Sequence, residues 1–373
     1  MKGWVTNLVA PLSVPPPLRN AKLVSYFLFT RHGARAPIYP WSNYPLDQVK
    51  WKYGESYKNK SINRRIPIVN GVEVDFSKNA KSGRLLDIGI QQQESLGKLY
   101  YNYLVVQNNL LPHEDQYDLS KIFIRSSVSP RCVESASSFL QGMYNPKSSN
   151  EKLFIQTGKF GDEILCPHPE LNEYYIKKSK IFQQTEEFRR RVSLIPQEIK
   201  DMFPNNEFTQ LLAGDFPYCL KFNGYQLPKI IEEDNKRYQK ITNRNSPCYG
   251  ELYRLLASNL AYYSTGFIDF VGRDAYGPIF QLFNSHLKKF LNKETDVKFT
   301  LFSGHDVSIS GFLVGLGIVN KEAVPPYASH LGAELWEANS QLSFRFTLNG
   351  EVLKIGSSDT IEIEQFINKY LEP

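Results

Sequence analysis

The sequence predicts an α/β protein, a three-layer α/β/α sandwich with a mostly parallel sheet and an inserted α-helical cap. Two apolar strand candidates lie far apart in the chain, and each runs into a turn that carries a histidine. Leu23–Thr30 is followed by His32, and Val297–Ser303 is followed by His305. Strand and helix patterns alternate near both ends of the chain, whereas the middle is helical and polar. Because open α/β sheets place ligand-binding groups at the carboxyl ends of their strands, both histidines are expected at one edge.

The first part of the chain has the alternation that is typical of a β-α-β arrangement. After the first strand come a helical pattern, a second strand, a further helical spacing and a third strand, in the order Leu86–Val105, Lys121–Ile124, Val133–Met143 and Leu153–Thr157. Near the other end, the pair Asn349-Gly350 suits a type I′ turn between strands Leu342–Thr347 and Val352–Ile355, and Glu362–Leu371 is predicted as a short helix.

The middle of the chain is predicted to form a separate helical unit. Strand signals are scarce there, and long helical stretches occur at Ser179–Ile195 and Tyr249–Phe267. We therefore predict an α/β core made of residues 1–165 and 292–373, with an α-helical cap over residues 166–291.

Composition agrees with a globular protein. The chain has 373 residues, with 44 Lys and Arg against 38 Asp and Glu, a net charge of +6. It shows no helix-turn-helix, zinc-ligand spacing or RNA-binding signature, so no nucleic-acid partner is expected. No stretch approaches the length of a membrane span, so no integral membrane segment is expected. The basic segment Lys50–Arg65 is interpreted either as a solvated loop or as a surface that attracts polyanionic phosphate esters.

The string Arg31-His32-Gly33-Ala34-Arg35 places a histidine between two arginines where a strand ends. Guanidinium groups offer paired donors that match a tetrahedral oxyanion. Their positive field also favours a neutral, nucleophilic imidazole over a protonated one. The segment therefore predicts a phosphate site. The alternative is that the arginines are surface charges and His32 is an ordinary turn residue.

Two further segments carry polar groups after strands. Arg125 begins the string RSSVSPRCVESA, and His305 is followed by Asp306. A protonated carboxyl at Asp306 can supply the proton that a leaving alkoxide needs. Asp306 is alternatively the N-cap of a helix over Val307–Leu316, and the two roles are compatible.

Together these segments resemble the histidine acid phosphatases, which form branch 2 of the histidine phosphatase superfamily and carry RHGxRxP near the N-terminus and a late HD pair. The agreement extends to GRLLDIGIQQ at Gly83–Gln92, to RSSVSPRCVESA at Arg125–Ala136 and to PPYASHLGAEL at Pro325–Leu335. The corresponding family patterns are GQLTxxGxxQ, RSTDxxRTxxSA and PPYASxLxxEL. The resemblance covers nearly the whole chain and is weakest in the middle third and over residues 38–82.

The resemblance implies hydrolysis of phosphate monoesters through a phosphohistidine, favoured at acid pH. His32 would be the nucleophile and Asp306 the proton donor. The phosphate-binding residues would be Arg31, Arg35, Arg125 and His305. Neither a metal nor another cofactor is expected, because clustered arginines can stabilise the transferred phosphoryl group.

The substrate is expected to be a phosphorylated small molecule. Within the same class, a narrower enzyme for lysophosphatidic acid, sugar phosphates or inositol polyphosphates is the alternative. A non-catalytic phosphate-binding protein on the same fold is the alternative from another class.

The chain departs from the family pattern in places that we expect to be tolerated. Val128 stands where relatives often carry Asp, and Cys132 where they carry Thr. Arg84 and Leu86 replace a Gln and a Thr, so the following helix is expected to be capped differently, for example by Ser82. The remaining histidines are interpreted as structural or solvated; they are His113, His168, His286 and His330.

Cysteine usage and the N-terminus bear on the cellular compartment. Four cysteines could form two bridges, but the usual partners of Cys166 and Cys219 in secreted relatives are not found, so reduced thiols are expected. The N-terminus lacks a convincing secretory apolar region. We expect a cytoplasmic protein or a chain lacking its leader, with a lysosomal or secreted location as the alternative. The sequence leaves the oligomeric state open, a homodimer included.

Overall fold

The central strand, β1 (Lys22–Arg31), shows how the sequence builds the sheet. Its side chains alternate between the two faces, and nearly all of them are buried. Tyr26 and Leu28 join the apolar cluster on one face, whereas Phe27 and Phe29 join the cluster on the other. A strand buried on both faces reads as a continuous apolar run, which is the pattern of a central strand in an α/β sheet.

The computed structural model describes residues 10–45, 49–54, 61–113, 118–203, 207–242, 249–321 and 324–372.

The strands of the described residues form one ten-stranded mixed sheet in the order β10-β8-β7-β1-β6-β4-β5-β2-β3, with β9 paired to β8. The five strands from β1 to β2 in this order are parallel to one another, and the pairs outside them are antiparallel. This arrangement confirms the predicted α/β class. The strands after β1 are β2 (Ile66–Val69), β3 (Val72–Glu73), β4 (Ile122–Ser126), β5 (Lys152–Thr157), β6 (Phe299–Gly304), β7 (His330–Ala338), β8 (Gln341–Leu348), β9 (Glu351–Leu353) and β10 (Ile361–Glu362).

Helices cover both faces of this sheet and fill the region between β5 and β6. They are α1 (Asp87–Tyr101), α2 (Pro130–Met143), α3 (Tyr175–Phe182), α4 (Glu186–Ser193), α5 (Gln197–Lys200), α6 (Glu207–Gln210), α7 (Asp215–Phe222), α8 (Lys229–Thr242), α9 (Glu251–Ala261), α10 (Phe267–Val271), α11 (Arg273–Leu291), α12 (Asp306–Gly315) and α13 (Ile363–Phe366). Wider π-helical turns follow α1, α9 and α13 at Asn102–Gln107, Tyr262–Gly266 and Ile367–Leu371.

The three layers follow from the apolar clusters. Helices α1 and α2 pack on the face that carries Tyr26 and Leu28. Helices α11 and α12 pack on the opposite face, against Phe27 and Phe29. Two further clusters lie mainly among the helices between α3 and α10. Helix α11 therefore packs on the sheet although it lies inside the segment 166–291, and the division into core and cap stays a prediction.

The turn at Asn349-Gly350 agrees with its prediction, whereas the predicted cap of α1 does not. The Asn349-Gly350 turn joins β8 to β9, with φ of 52° and 87° at its two residues, as a type I′ turn requires. Ser82 does not cap α1, because its hydroxyl donates to the carbonyl of Ile38 and Leu86 occupies the N-cap position. No helix in the described part of the chain combines the length and hydrophobicity needed to cross a membrane.

The basic segment Lys50–Arg65 falls partly outside the described residues, and Lys58 and Lys60 are among those outside. At its end, Arg64 pairs with Glu94 at 2.8 Å. Arg65 is buried and pairs with Glu151 at 3.3 Å. These two arginines therefore take part in packing the segment against the core.

Candidate active site

The two histidine-bearing turns meet at the carboxyl edge of the sheet because their strands are parallel neighbours. In the register of β1 and β6, Arg31 lies opposite Gly304. The His32 N–H donates to the Gly304 carbonyl at 2.9 Å. The rings of His32 and His305 lie 5.6 Å apart between centroids. Pairing in the sheet thus brings together two residues that are far apart in sequence.

The His32 imidazole is buried and held in one tautomer. Its Nδ1 lies 2.8 Å from the Gly33 carbonyl, which can only accept, so Nδ1 carries the hydrogen and Nε2 keeps its lone pair. Burial, and then the charges of Arg131, Arg31 and other cations, hold the pKa of His32 well below its usual value. The ring is therefore neutral and has a free nucleophilic nitrogen.

Arg31 and Arg35 lie on either side of His32 in the sequence, and both are buried. Arg31 donates to the Pro325 carbonyl at 2.6 Å, and its guanidinium carbon lies 4.5 Å from the ring centroid of Tyr327. Arg35 forms a two-point ion pair with Asp215, with N–O distances of 2.8 and 3.2 Å. These contacts fix the direction of each guanidinium, which prepares it to receive an oxyanion.

The structure does not bring Arg125 to the cavity that contains His32. Its guanidinium pairs with the fully buried Glu163 at 2.9 Å and also donates to the Ser126 carbonyl. Glu163 in turn accepts from the Val128 N–H at 2.8 Å. The Arg125 pair therefore fixes the turn before α2, and Arg125 is not among the cavity-lining residues.

Arg131, in the first turn of α2, lines the cavity instead. Its Nη2 lies 3.4 Å from Nδ1 of His305, and its charge is among the causes that lower the pKa of His32. Arg131 was not predicted as a site residue, although it lies only six residues after Arg125. A strand end and the helix that follows both present arginines, and the string alone does not say which side chain faces the cavity.

His305 and Asp306 lie at the start of α12. The His305 Nδ1 faces Arg131, so its Nε2 is the protonated nitrogen, and that nitrogen lies 2.9 Å from the Ser127 hydroxyl. His305 holds the N-cap position, and Asp306 is the first residue of the helix, with Oδ1 accepting from the Val307 N–H at 3.0 Å. Its Oδ2 lies 3.6 Å from Arg31, and its side chain is 19% exposed.

One cavity of about 550 Å³, open solvent at its mouth included, joins these groups. Sequence-predicted residues on its wall are Arg31, His32, Arg35, His305 and Asp306. Arg131, His168, Glu170 and Asp215 also line it and were not assigned a role from the sequence. In the described part of the chain, the buried Nε of Arg31, Arg35 and Arg131 has no hydrogen-bond partner. Three donors are therefore left for a ligand in a cavity that holds a neutral histidine.

Cys132, where relatives carry Thr, packs against the site. Its Sγ lies 3.5 Å from Nε2 of His305, and burial raises the pKa of its thiol to about 12. The thiol is therefore protonated and unreactive. Cys166 and Cys219 are also free and buried. Among the described residues no group of three or more His, Cys, Asp and Glu side chains is arranged to hold a metal ion.

The chain matches the model of a known protein family over most of its length. Residues 22–349 match the family model of the histidine phosphatase superfamily (branch 2). The matched range includes both histidine turns and every arginine that lines the cavity. The chain belongs to the histidine phosphatase superfamily, branch 2.

Individual relatives are distant. The chain is 25% identical over 357 residues to Counting factor 60 of Dictyostelium discoideum, covering 87% of this chain and 80% of that protein. It is 23% identical over 346 residues to Prostatic acid phosphatase of Rattus norvegicus, covering 87% of this chain and 77% of that one. The crystal structure of the phytase from D. castellii shares the fold, with a TM-score of 0.57 and 12% identity over 99% of this chain and 84% of that chain. The protein is accordingly an acid phosphatase that acts on phosphorylated substrates.

Proposed function

We propose that His32 is the nucleophile of this phosphatase and that three arginines hold the phosphoryl group that it receives. The arginines are Arg31, Arg35 and Arg131, the last in place of Arg125. His305 positions Arg131 through its Nδ1, and Asp306 is the proton donor. The observation that carries the proposal is the set of three buried Nε–H groups without partners in the described residues, around a neutral histidine.

In the first step, the Nε2 lone pair of His32 attacks phosphorus and the bond from phosphorus to the ester oxygen breaks. The leaving oxygen takes the proton of Asp306 and departs as an alcohol. The charge on the three equatorial oxygens is matched by the guanidinium groups, which need little reorganisation because Asp215 and the Tyr327 ring already fix two of them.

In the second step, the Asp306 carboxylate takes a proton from water, and the oxygen of that water attacks the phosphohistidine. The bond between Nε2 and phosphorus breaks, inorganic phosphate leaves, and both His32 and Asp306 return to their starting states. The low pKa of His32 helps this step, because a weakly basic imidazole is a good leaving group. It also keeps the nucleophile unprotonated in acid solution.

The proposal is tested by phosphate release from p-nitrophenyl phosphate and from an alkyl phosphate in the presence of EDTA. We expect His32→Ala to lose turnover by several orders of magnitude, because it lacks the atom that forms the covalent intermediate. Asp306→Asn should lose more activity on the alkyl phosphate, whose leaving group needs a proton, than on p-nitrophenyl phosphate. His286→Ala, a substitution in α11 away from the cavity lining, is the matched control and should keep its activity.

The intermediate gives an independent measurement. Rapid quenching of the wild-type enzyme with radiolabelled substrate should trap an acid-labile phosphoprotein that His32→Ala does not form. Turnover by His32→Ala equal to that of wild type would contradict the assignment. Phosphate binding by the wild-type protein without any phosphate release would instead favour the non-catalytic phosphate-binding protein.

A further inference from the structure

The wall of the cavity contributed by residues 166–170 is not used in the mechanism above. His168 is buried and Glu170 is partly exposed, and both line the cavity together with Tyr263 of the π-helical turn after α9. The string that carries them, Cys166-Pro167-His168-Pro169-Glu170, follows β5 and crosses the carboxyl edge of the sheet.

Tyr263 fixes both side chains. The His168 Nε2 donates to the Tyr263 carbonyl at 3.3 Å, and the Tyr263 hydroxyl donates to the Glu170 carboxylate at 3.1 Å. The His168 ring is held between aromatic neighbours, with its centroid 4.4 Å from that of Tyr263 and 5.4 Å from that of Phe208. The His168 ring and the Glu170 carboxylate are therefore held in fixed positions.

The His168 and Glu170 side chains can each accept a further hydrogen bond. The buried Nδ1 of His168 has no hydrogen-bond partner in the described residues, and because Nε2 donates, Nδ1 keeps a lone pair. Burial lowers the pKa of His168 more than the charge of Glu170 raises it, so the ring stays neutral. Glu170 accepts from Tyr263 and forms no ion pair within the described part of the chain.

The charge balance of the cavity restricts what can lie near these acceptors. Its described lining contains three arginines and three carboxylates, namely Arg31, Arg35, Arg131, Glu170, Asp215 and Asp306, and no lysine. Asp215 is paired with Arg35, and Asp306 lies 3.6 Å from Arg31. Glu170 is therefore the carboxylate whose charge is not offset by a neighbouring arginine. A hydroxyl can donate to it, whereas a second phosphate group would be repelled.

We propose that His168 and Glu170 form a hydroxyl-binding subsite beside the phosphate site. The substrate class is then a monophosphate ester of a polyhydroxylated alcohol, such as a sugar or polyol monophosphate, rather than a polyphosphate. This inference rests on the proposed function, because it takes the phosphoryl group to be held next to His32.

The test compares glycerol 2-phosphate with isopropyl phosphate, which has the same carbon skeleton and ester position and lacks the two hydroxyls. We expect the wild-type kcat/KM to be higher for glycerol 2-phosphate by on the order of tenfold or more, the value of one hydrogen bond to a charged group. Glu170→Ala should bring this ratio towards one. His168→Phe keeps the aromatic packing and should lower the same ratio.

Glu173→Ala is the matched control, because Glu173 is an exposed carboxylate three residues further along that does not line the cavity. It should leave the ratio at the wild-type value. Inositol hexakisphosphate gives the opposite readout. Glu170→Gln should raise its kcat/KM severalfold at low salt, and the gain should shrink at high salt because screening weakens the repulsion. Structural damage would lower kcat/KM for both glycerol 2-phosphate and inositol hexakisphosphate. It cannot move these two values in opposite directions.

A wild-type kcat/KM ratio near one for glycerol 2-phosphate over isopropyl phosphate would overturn the subsite. A Glu170→Ala ratio equal to that of Glu173→Ala would overturn it as well. In either case, phosphate release from p-nitrophenyl phosphate would still support the proposed function. A fall in inositol hexakisphosphate turnover in Glu170→Gln would also overturn the subsite. If the wild-type enzyme released phosphate from none of these substrates, the proposed function itself would fail and the subsite with it.

Discussion

Arg125 and Arg131 are six residues apart in sequence and have different neighbours. Arg131→Ala removes a cavity-lining guanidinium, so we expect kcat/KM to fall by about 10²–10³, by analogy with the loss of an oxyanion donor. Inhibition by inorganic phosphate should weaken as well, with little change in Tm. Arg125→Ala leaves the buried Glu163 carboxylate without its ion-pair partner, so its main effect should be a lower Tm.

Kinetics, phosphate inhibition and thermal unfolding of both variants check this prediction. The reverse pattern would contradict it, with phosphate inhibition lost in a stable Arg125→Ala protein and kept in Arg131→Ala.

Among individual residues, the sequence predicted the groups whose position follows from a strand end. His32, His305 and Asp306 directly follow parallel strands, and their approach is fixed once those strands pair. The sequence did not predict that Arg131 and Asp215 line the cavity. Asp215 lies at the start of α7 and meets Arg35 through packing between distant segments, which no local pattern encodes.

Helices α1 and α2 approach each other through two glycines. A Cβ on Gly142 would overlap the Glu94 carbonyl, and one on Gly97 would overlap the Phe139 carbonyl. Gly142→Ala should therefore push the helices apart, and overpacking of this kind costs about 1–3 kcal/mol. We expect a Tm lower by a few degrees.

Gly277→Ala is the control, because this glycine lies in α11 with only the Arg273 side chain near its Cβ position, at 3.5 Å. Helix propensity alone then makes alanine neutral or stabilising there. Equal Tm values for the two alanine variants would show that the contact between α1 and α2 is not close enough to exclude a methyl group.

The sequence predicted most strands of the sheet and missed others, both inside the sheet and at its edge. Strands β1, β4, β5 and β6 are apolar runs, and the structure places each of them within a few residues of its prediction. Strand β7 begins within the segment Pro325–Leu335 that resembles a family motif and was not predicted as a strand, and neither were the short β2 and β3. The alternating pattern of β7 is obscured because it is buried on both faces, with Glu334 inside the core beside Arg345.

Several buried histidines predict how the folding stability of the protein depends on pH. Burial lowers the pKa of His330 to about 4, and it also holds the pKa values of His32 and His305 well below 6.5. The unfolded chain therefore binds protons first as the pH falls below about 6.5, so folding stability decreases between that pH and the lowered pKa values. Thermal unfolding at pH 7 and pH 4.5 should show a lower Tm at the acid pH.

His330→Gln isolates one contribution. Gln does not titrate and can still meet the Tyr100 hydroxyl and the Pro11 carbonyl that His330 contacts at 3.0 and 3.1 Å. The fall in Tm between the two pH values should be smaller in this variant. An undiminished fall would mean that His330 does not contribute to acid sensitivity.

The position of β1 in the sheet has a consequence for how the chain folds. Both neighbours of β1 come from near the other end of the chain, β6 beginning at Phe299 and β7 at His330. Such pairing closes very large loops, and long-range contacts of this kind slow folding. During synthesis, the backbone N–H and C=O groups along both edges of β1, and its apolar faces, stay without their partners until β6 and β7 have emerged from the ribosome. The nascent chain is therefore exposed to aggregation through the strand that ends just before His32, and chaperone dependence should be greatest before β6 and β7 are made.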